Sequence, residues 1–227
     1  MSGSAVPDDG LSSTDRCVAA IRTMVLTGTL LPGEKLNQLD IATQLEVSRV
    51  PVREALSRLQ SEGFVVYKAN TGWTVARFNS DELAQLYLMR RLLETEILRT
   101  VDLRSVDLDR MRDLLSQMGR ISPVDSPEQY QEVNMQFHFT VFDTSPLRLL
   151  RQEAQRLWYM SAFYRSLYIH APETSKRLGT EHERMISAIK ARSVERLIQI
   201  SDKHRAGTQA MIEQRLGPPR APAEPRL

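Results

Sequence analysis

The chain has 227 residues, of which 41% are hydrophobic and 26% are charged, with a formal net charge of +2. This composition is that of an ordinary globular protein with enough apolar material for one large or two smaller cores. No stretch approaches eighteen apolar residues and the start of the chain lacks an apolar signal segment, so we expect a cytoplasmic protein without a membrane segment. The single cysteine, Cys17, excludes an intrachain disulfide framework and a cysteine-rich zinc site;.

Both ends of the chain are predicted to be flexible tails. Residues 1–13 are small and polar, and residues 216–227 are rich in proline, so neither end has the apolar content of a folded segment;. Between them the sequence predicts a mainly α fold in two parts. Residues 14–78 combine short helical patterns with a hairpin, whereas residues 79–215 contain helical patterns alone.

The first part contains two short helices in close succession. One is predicted in LNQLDIATQLEV, residues 36–47, and the other in VSRVPVREALSRLQSEGF, residues 47–64. The residues expected to face inward are Leu39, Ile41, Ala42 and Leu45 on the first helix and Val52, Ala55, Leu56 and Leu59 on the second;. Ser48 can cap the second helix, and Pro51 is tolerated in its first turn, which has no intrahelical N–H bond to lose.

The second helix carries arginines on two different sides. At about 100° per residue, Arg49 and Arg53 fall together on a face beside the core, whereas Arg58 lies well round the helix and can pair with Glu54;. A solvated polar face is the commoner explanation of such a pattern. The alternative is a surface that contacts an anionic partner.

A hairpin is predicted directly after the second helix. The run FVVYKANTGWTVARF, residues 64–78, has two β-rich segments with Asn70, Thr71 and Gly72 between them;. Two short helices joined by a tight turn form a helix-turn-helix, which presents the start of its second helix to the DNA major groove, and the hairpin would be a wing. Because residues 47–78 carry five basic and two acidic side chains, the local charge favours this interpretation;.

The segment TGTLLPGEKLNQLDIATQLEVSRVPVREALSRLQSEGFV, followed by NTGWTV, resembles the winged helix-turn-helix of the GntR family of bacterial transcriptional regulators. The DNA-binding residues implied by the resemblance are Ser48, Arg49, Pro51, Arg53, Lys68 and Gly72. In the family, the matching arginines reach guanine edges or phosphates, the serine contacts the DNA backbone, and the wing glycine lies close to the minor groove. Glu46 occupies a turn position where the family usually has glycine, so we expect a left-handed backbone there.

The second part is predicted to be a bundle of six or so helices that starts at Ser80. Periodic apolar segments are broken near residues 122–129, 144–147, 170–174 and 190–195, and proline or serine lies at each break;. No convincing strand follows Asn79. This part of the chain is therefore expected to be all-helical.

Three of the four histidines are expected to face inward, on three different helices. His138 shares a stripe with Asn134, whereas His182 and His204 lie on the apolar stripes of later helices;. His170 precedes a proline at a helix end and is expected to be a cap. Each inward histidine could be an ordinary core residue. The alternative is one metal shared by all three, since imidazoles suit zinc, nickel, copper and iron.

An inward charged pair is predicted on the helix that begins at Ser80. Arg90 falls on the apolar stripe of that helix, and Glu94 follows it by four residues;. The two side chains could form a structural ion pair within the core. Alternatively, the guanidinium of Arg90 could receive a carboxylate ligand in a cavity.

Residues 80–213 resemble the FCD ligand-binding domain of the FadR-type GntR subfamily, through LYLMRRLLETEI, NMQFHFTVF, EHERMISAIKARSVERL and the later DKH. The resemblance implies a divalent metal, zinc or nickel, held at Asn134, His138, His182 and His204, and a small organic acid bound by the metal and Arg90. Asn134 stands where the family usually has aspartate, so this site lacks one negatively charged oxygen ligand.

The predicted function is a ligand-responsive, DNA-binding transcriptional regulator, with repression as the expected direction. A homodimer would bind a palindromic double-stranded operator through residues 14–78, and residues 79–215 would bind the effector and dimerise. One alternative is a metal-dependent hydrolase or lyase that uses the three histidines. Against this alternative, no inward carboxylate could be assigned as a general base, so we expect no enzyme. Another alternative is a DNA-binding protein that senses no ligand.

Overall fold

The structure is a computed structural model that describes residues 12–77, 80–123, 125–166 and 172–216. The chain divides between Ala76 and Arg77 into two compact units. The predicted tails fall almost wholly outside the described residues, as does His170. Where the ends are described they are already helical, since the first helix begins at Ser13 and the last ends at Leu216.

The first unit consists of three helices and a hairpin. The elements are α1 (Ser13–Leu26), α2 (Gln38–Gln44), α3 (Arg49–Ser61), β1 (Val65–Lys68) and β2 (Gly72–Val75). Helices α1 and α2 both pack on α3. The four residues of α3 predicted to face inward are fully buried, which confirms its core face.

Four local expectations in this unit are wrong. Leu39 is 49% exposed, because two residues of helix set it about 200° away from the buried Ile41. Ser48 occupies the N-cap position of α3, but its side chain makes no capping hydrogen bond. Glu54 does not pair with Arg58: its carboxylate accepts a hydrogen bond from the Thr14 hydroxyl at 2.7 Å, and Arg58 bonds to Asp15.

The fourth correction concerns the hairpin. Gly72 is the first residue of β2 and pairs with Lys68, so it lies in the antiparallel ladder and not in the turn. Its φ of +85° is a conformation that favours glycine;. The turn is closed by a hydrogen bond from the Thr71 N–H to the Lys68 carbonyl at 3.1 Å.

The second unit, over its described residues, is an all-helical bundle of six helices, as predicted. They are α4 (Ser80–Arg99), α5 (Leu108–Arg120), α6 (Pro127–Phe142), α7 (Arg148–Ser166), α8 (Pro172–Lys190) and α9 (Val194–Leu216). Helix α4 packs on α7 and α9, while α5 packs on α6 and α8. Helices α6, α8 and α9, which carry the three inward histidines, therefore share neighbours: α5 contacts both α6 and α8, and α4 contacts both α6 and α9.

One helix boundary in the second unit lacks the expected signals. The chain leaves α4 at Arg99 and enters α5 at Leu108 without proline or glycine between them. Side chains make this connection instead: Asp102 accepts a hydrogen bond from the Ser105 hydroxyl, and Asp107 caps α5 by accepting from the Arg110 N–H at 2.8 Å;. Among the described helices none is long and apolar enough to span a membrane.

Candidate functional site

The N-terminal half of α3 presents a free basic surface in the first unit. Ser48, Arg49 and Arg53 are exposed there, because the opposite side of the helix is buried. Neither guanidinium group forms a hydrogen bond or ion pair with any other residue that the structure describes. Val50, which the sequence analysis did not select, lies between them and is 64% exposed. Its 100° spacing from Arg49 was the signal that could have identified it.

The third arginine of α3 is already engaged. Arg58 Nη1 donates to an Asp15 carboxylate oxygen of α1 at 2.8 Å, and its Nε lies 3.6 Å from a Glu62 oxygen. Hydrogen bonds from Ser12 and then Arg58 lower the pKa of the Asp15 carboxyl. Arg58 therefore faces α1, away from the surface that holds Arg49 and Arg53.

The turn between α2 and α3 confirms the left-handed conformation expected at Glu46, whose φ is +53°. The Val47 N–H donates to the Ala42 carbonyl at 3.0 Å, and the Glu46 N–H donates to the Thr43 carbonyl at 3.3 Å. This pair of bonds is a Schellman motif, which ends a helix through one left-handed residue. The left-handed residue ends α2 and turns the chain toward α3.

The remaining predicted DNA-binding residues lie at the start of α3 and in the hairpin. Pro51 is half-buried in the first turn of α3, and Lys68 is exposed at the end of β1. Gly72 faces Lys68 across the ladder, and a Cβ built on it would meet no protein atom within 4 Å. No described protein atom therefore occupies the space beside the Gly72 Cα.

The second unit brings the three inward histidines together. One ring nitrogen from each of His138 on α6, His182 on α8 and His204 on α9 lies within 4.8 Å of the others. His138 Nε2 and His182 Nε2 are 3.2 Å apart. His138 and His182 are buried, whereas the His204 side chain is 12% exposed.

Burial keeps these imidazoles neutral. Desolvation, and then the neighbouring histidines, hold the pKa of His138 and of His182 well below the ordinary histidine value. Desolvation also lowers the pKa of His204, although Glu181 opposes that effect. Neutral imidazoles with unprotonated nitrogens are the form that binds a metal.

The arrangement fits a single metal ion. Two nitrogens that each lie about 2.1 Å from one ion, at tetrahedral or octahedral angles, are about 3.0–3.4 Å apart, and the Nε2 atoms of His138 and His182 meet that condition. His204 Nδ1 is 2.8 Å from a Glu181 oxygen, which leaves Nε2 for an ion. A carboxylate on the second ring nitrogen is the usual support of a metal-binding histidine.

Glu181 was missed by the sequence analysis, although it directly precedes His182. It is 7% exposed, and Arg177 Nη1 donates to its oxygens at 3.0 and 3.1 Å. The sequence analysis assigned no inward carboxylate as a general base, and Glu181 is an inward carboxylate that it did not select. The signal was the Arg177 and Glu181 spacing of four residues on the inner side of α8.

Asn134 and Arg90 line one narrow cavity together with His204. Asn134 is 6% exposed and Arg90 is 4% exposed, so both inward predictions are confirmed. The cavity has a volume of about 20 Å³, which is room for about one water molecule;. A larger groove of about 660 Å³ lies on α5, α6 and α7, but it is open and holds none of the histidines.

Arg90 forms the predicted pair with Glu94, in a wider network than the sequence indicated. Arg90 Nε donates to Glu94 Oε1 at 2.8 Å, and the same carboxylate accepts from Trp158 Nε1 at 2.9 Å and from Arg205 Nε at 3.0 Å. Burial raises the pKa of Glu94, but Arg90 and Arg205 outweigh it and hold that pKa below its ordinary value. Glu94 is therefore a buried anion shared by two arginines.

Two further arginines of the cavity were missed. Arg205 follows His204 directly on α9, and Arg165 of α7 shares a helical stripe with Trp158 and Ser161. Both arginines are 5% exposed. The helical spacing of Arg165 with Trp158 and Ser161 could have identified Arg165 as an inward residue. No pattern along the chain indicates how close Arg165 lies to Arg90.

Comparisons with known proteins agree on both units. Residues 13–75 match the family described as bacterial regulatory proteins, gntR family, and residues 85–207 match the FCD domain. The chain is 30% identical to the HTH-type transcriptional regulator LutR of Bacillus subtilis over 191 residues, which are 74% of this chain and 86% of LutR. It is 33% identical to the Nta operon transcriptional regulator of Aminobacter aminovorans over 132 residues, which are 56% of this chain and 62% of that protein. The match thus spans less than two thirds of the length of that regulator.

Solved structures share the fold. McbR/YncC of E. coli has a TM-score of 0.74 at 22% identity, covering 91% of this chain and all of that one. A putative transcriptional regulator GntR from Rhodococcus sp. RHA1 has a TM-score of 0.72 at 23% identity, covering 89% of this chain and 98% of that one. At these identities the likeness concerns the fold alone.

Proposed function

Since this chain belongs to the GntR family of bacterial regulatory proteins and carries an FCD domain, we propose that it is a transcriptional repressor released by a small organic acid. It binds a palindromic operator as a homodimer through the winged helix-turn-helix and senses the acid at a metal-containing site in the helical unit. The observation that carries the sensing role is the convergence of His138, His182 and His204 beside the buried Arg90.

DNA recognition is supported by the free arginines of α3. Arg49 and Arg53 project from the exposed face of a helix whose other side forms the core, so they can enter a major groove without breaking an existing contact;. Lys68 and Gly72 are suited to the phosphate backbone beside that groove;. One such helix reads too few base pairs for useful specificity, which supports a dimer on two half-sites.

Acid sensing is supported by the chemistry of the donor set. His138, His182 and His204 would hold a divalent ion, with the Asn134 amide oxygen as a further ligand, and zinc or nickel suits these donors. When bound, the ion supplies a Lewis-acid position for a carboxylate oxygen. Arg90 can donate to the same acid, because no described side chain accepts a hydrogen bond from its Nη2.

Signalling requires that the acid favour one arrangement of the protein over another. The cavity has room for about one water, so an acid can enter only when its lining side chains move;. The proposed hinge is the segment 78–80, just after the division of the two units between Ala76 and Arg77. Residues 78 and 79 lie outside the described part of the chain.

The metal site is tested with His182→Ala and the matched control His170→Ala. We expect His182→Ala to reduce the metal content of the purified protein, measured by elemental analysis, and His170→Ala to leave it unchanged. Both variants should retain the helical circular dichroism spectrum. Full metal stoichiometry in His182→Ala would show that the site is misassigned.

An enzyme that uses the three histidines is the competing proposal, and the inward Glu181 is the observation that favours it. Glu181 is, however, occupied by Arg177 and His204, which leaves it poorly placed to accept a proton from water. A metal-loaded protein that binds its operator specifically and turns over no ester, amide or hydroxy acid would exclude this alternative.

A further inference from the structure

Arg165 is a buried cation whose hydrogen-bond acceptors among the described residues are uncharged. Its Nε donates to Gln131 Oε1 at 3.0 Å, and its Nη1 donates to the Trp158 carbonyl at 3.1 Å and to the Ser161 hydroxyl oxygen. The side chain is 5% exposed. Solvent therefore does little to stabilise its charge.

The nearby acidic groups are committed to other arginines. Glu94 accepts from Arg90 and Arg205, and Asp202 accepts from Arg205 Nη1 at 2.7 Å. No acidic side chain in the described ranges bonds to Arg165. Burial, and then repulsion by Arg90, lower the pKa of Arg165 to about 9, so it still carries its charge at neutral pH.

Arg165 and Arg90 face the same cavity. Both guanidinium groups lie over the Trp158 ring, with their central carbons 4.2 Å (Arg90) and 4.7 Å (Arg165) from its centroid. Both donate through Nη1 to the same Ser161 oxygen. Two donors on one oxygen are within about 6 Å of each other, so both guanidinium groups can contact one small molecule.

The local charge balance requires an anion. A buried cation without a compensating anion is costly to the folded protein, and the proposed metal donors, three neutral imidazoles and the Asn134 amide, contribute no negative charge. A bound divalent ion therefore adds to the positive charge already present on Arg165.

We propose that the effector is a short dicarboxylate: one carboxylate is received by Arg90 beside the histidines, and the second is received by Arg165. The proposal rests on the proposed function, in which this cavity senses an organic acid. Since the two Nη1 atoms are close together, a diacid of three or four carbons suits their separation. Arg165 then determines the preference for diacids over monoacids.

The test compares each diacid with its own monoamide, which keeps the size and removes one charge. Metal-loaded full-length protein, freed of excess metal, is titrated calorimetrically with malonate, malonamate, succinate and succinamate. We expect at least one diacid to bind about tenfold or more tightly than its monoamide, as a charged hydrogen-bonded contact implies. The melting temperature should rise more with that diacid than with its monoamide.

The variants Arg165→Met and Arg165→Gln identify the residue responsible. Each should bring the affinity for the diacid to that of the monoamide while leaving the affinity for the monoamide unchanged. Both variants lose the hydrogen bonds of Arg165 to Gln131, Trp158 and Ser161 alike;. A merely structural role would therefore weaken the binding of diacid and monoamide equally.

The outcomes separate this proposal from the one it rests on. Equal wild-type affinity for diacid and monoamide, or an equal loss of both affinities in the Arg165 variants, overturns the role of Arg165 and leaves acid sensing standing. Absence of binding by all four acids and by a wider set of monocarboxylates overturns acid sensing, and the dicarboxylate proposal with it.

Discussion

Arg53 and Arg58 are five residues apart on α3 but have different surroundings. The Arg53 guanidinium is exposed and has no hydrogen bond or ion pair with a described residue, whereas the Arg58 guanidinium bonds to Asp15. We expect Arg53→Ala to weaken specific operator binding by about 1–3 kcal/mol per lost bidentate base contact, measured by fluorescence anisotropy on a selected operator. Arg58→Ala is the matched control and should change the discrimination between operator and random DNA much less. Undiminished specificity in Arg53→Ala would contradict the assignment of the DNA-reading face.

Glu94 is the residue whose charge holds the buried network together. Its pKa lies below the ordinary glutamate value of 4.5, so its contribution to stability is present above that pH and is lost as the pH falls further through the folded-state pKa;. Glu94→Gln leaves two buried arginines without their anion, and we expect the free energy of unfolding at pH 7 to fall by about 3–5 kcal/mol.

The measurement for Glu94 is urea unfolding between pH 3 and pH 7. In Glu94→Gln the decline of stability below pH 4.5 should be shallower than in the wild type. Glu96→Gln is the matched control, because the Glu96 side chain is 51% exposed on the same helix. Parallel pH profiles for the wild type and Glu94→Gln would show that Glu94 does not titrate differently on folding.

At the scale of the elements, α8 and α9 position the metal ligands through side chains that are not ligands themselves. Arg177 and Glu181 lie one turn apart on α8, and Glu181 holds His204 of α9 at 2.8 Å. Gly207 of α9 leaves space for the Arg177 guanidinium, which lies 2.7 Å from the position a Cβ would occupy. The orientation of His204 is therefore set by contacts between the two helices.

This positioning predicts that Glu181→Gln lowers metal affinity about 10- to 100-fold, the usual effect of losing a partner of a metal-binding histidine. The affinity is measured by competition with a chelating dye. Glu183→Gln, on the exposed side of the same helix, should leave it unchanged. Wild-type affinity in Glu181→Gln would mean that His204 is not oriented through this carboxylate.

At the scale of the whole molecule, the proposed dimer requires two half-sites on one operator. Scrambling one half-site of a selected palindrome should reduce affinity at least about 100-fold, since several base contacts of about 1–3 kcal/mol each are lost together. Gel-shift titration measures this effect, and sedimentation of the free protein reports its oligomeric state. Equal affinity for full and half operators would contradict the two-fold arrangement.

Much of the fold could be predicted from local patterns. The core face of α3, the hairpin and the inward positions of Arg90 and His138 follow from helical or strand spacing. The left-handed Glu46 was expected from the resemblance to a family that usually has glycine there. The α4–α5 connection was not anticipated, because aspartate and serine side chains make it without proline or glycine. Leu39 was misplaced, because α2 has two turns and buries only one side.

Helical periodicity was enough to place Arg90, Asn134 and the three histidines on the inner sides of their helices, since a helix repeats every 3.6 residues and its apolar stripe must face the core. Which of these side chains meet follows from the packing of the helices, and the inward Glu181 and Arg165 were recognised only there. Three contacts join residues from different helices. They are the 3.2 Å approach of the His138 and His182 nitrogens, the hydrogen bond between Glu181 and His204, and the approach of Arg165 to Arg90 at Ser161. Spacing along one helix carries no information about distances to another helix. The packing of the helices therefore decides which charged side chains line the cavity, and with them its ligand preference.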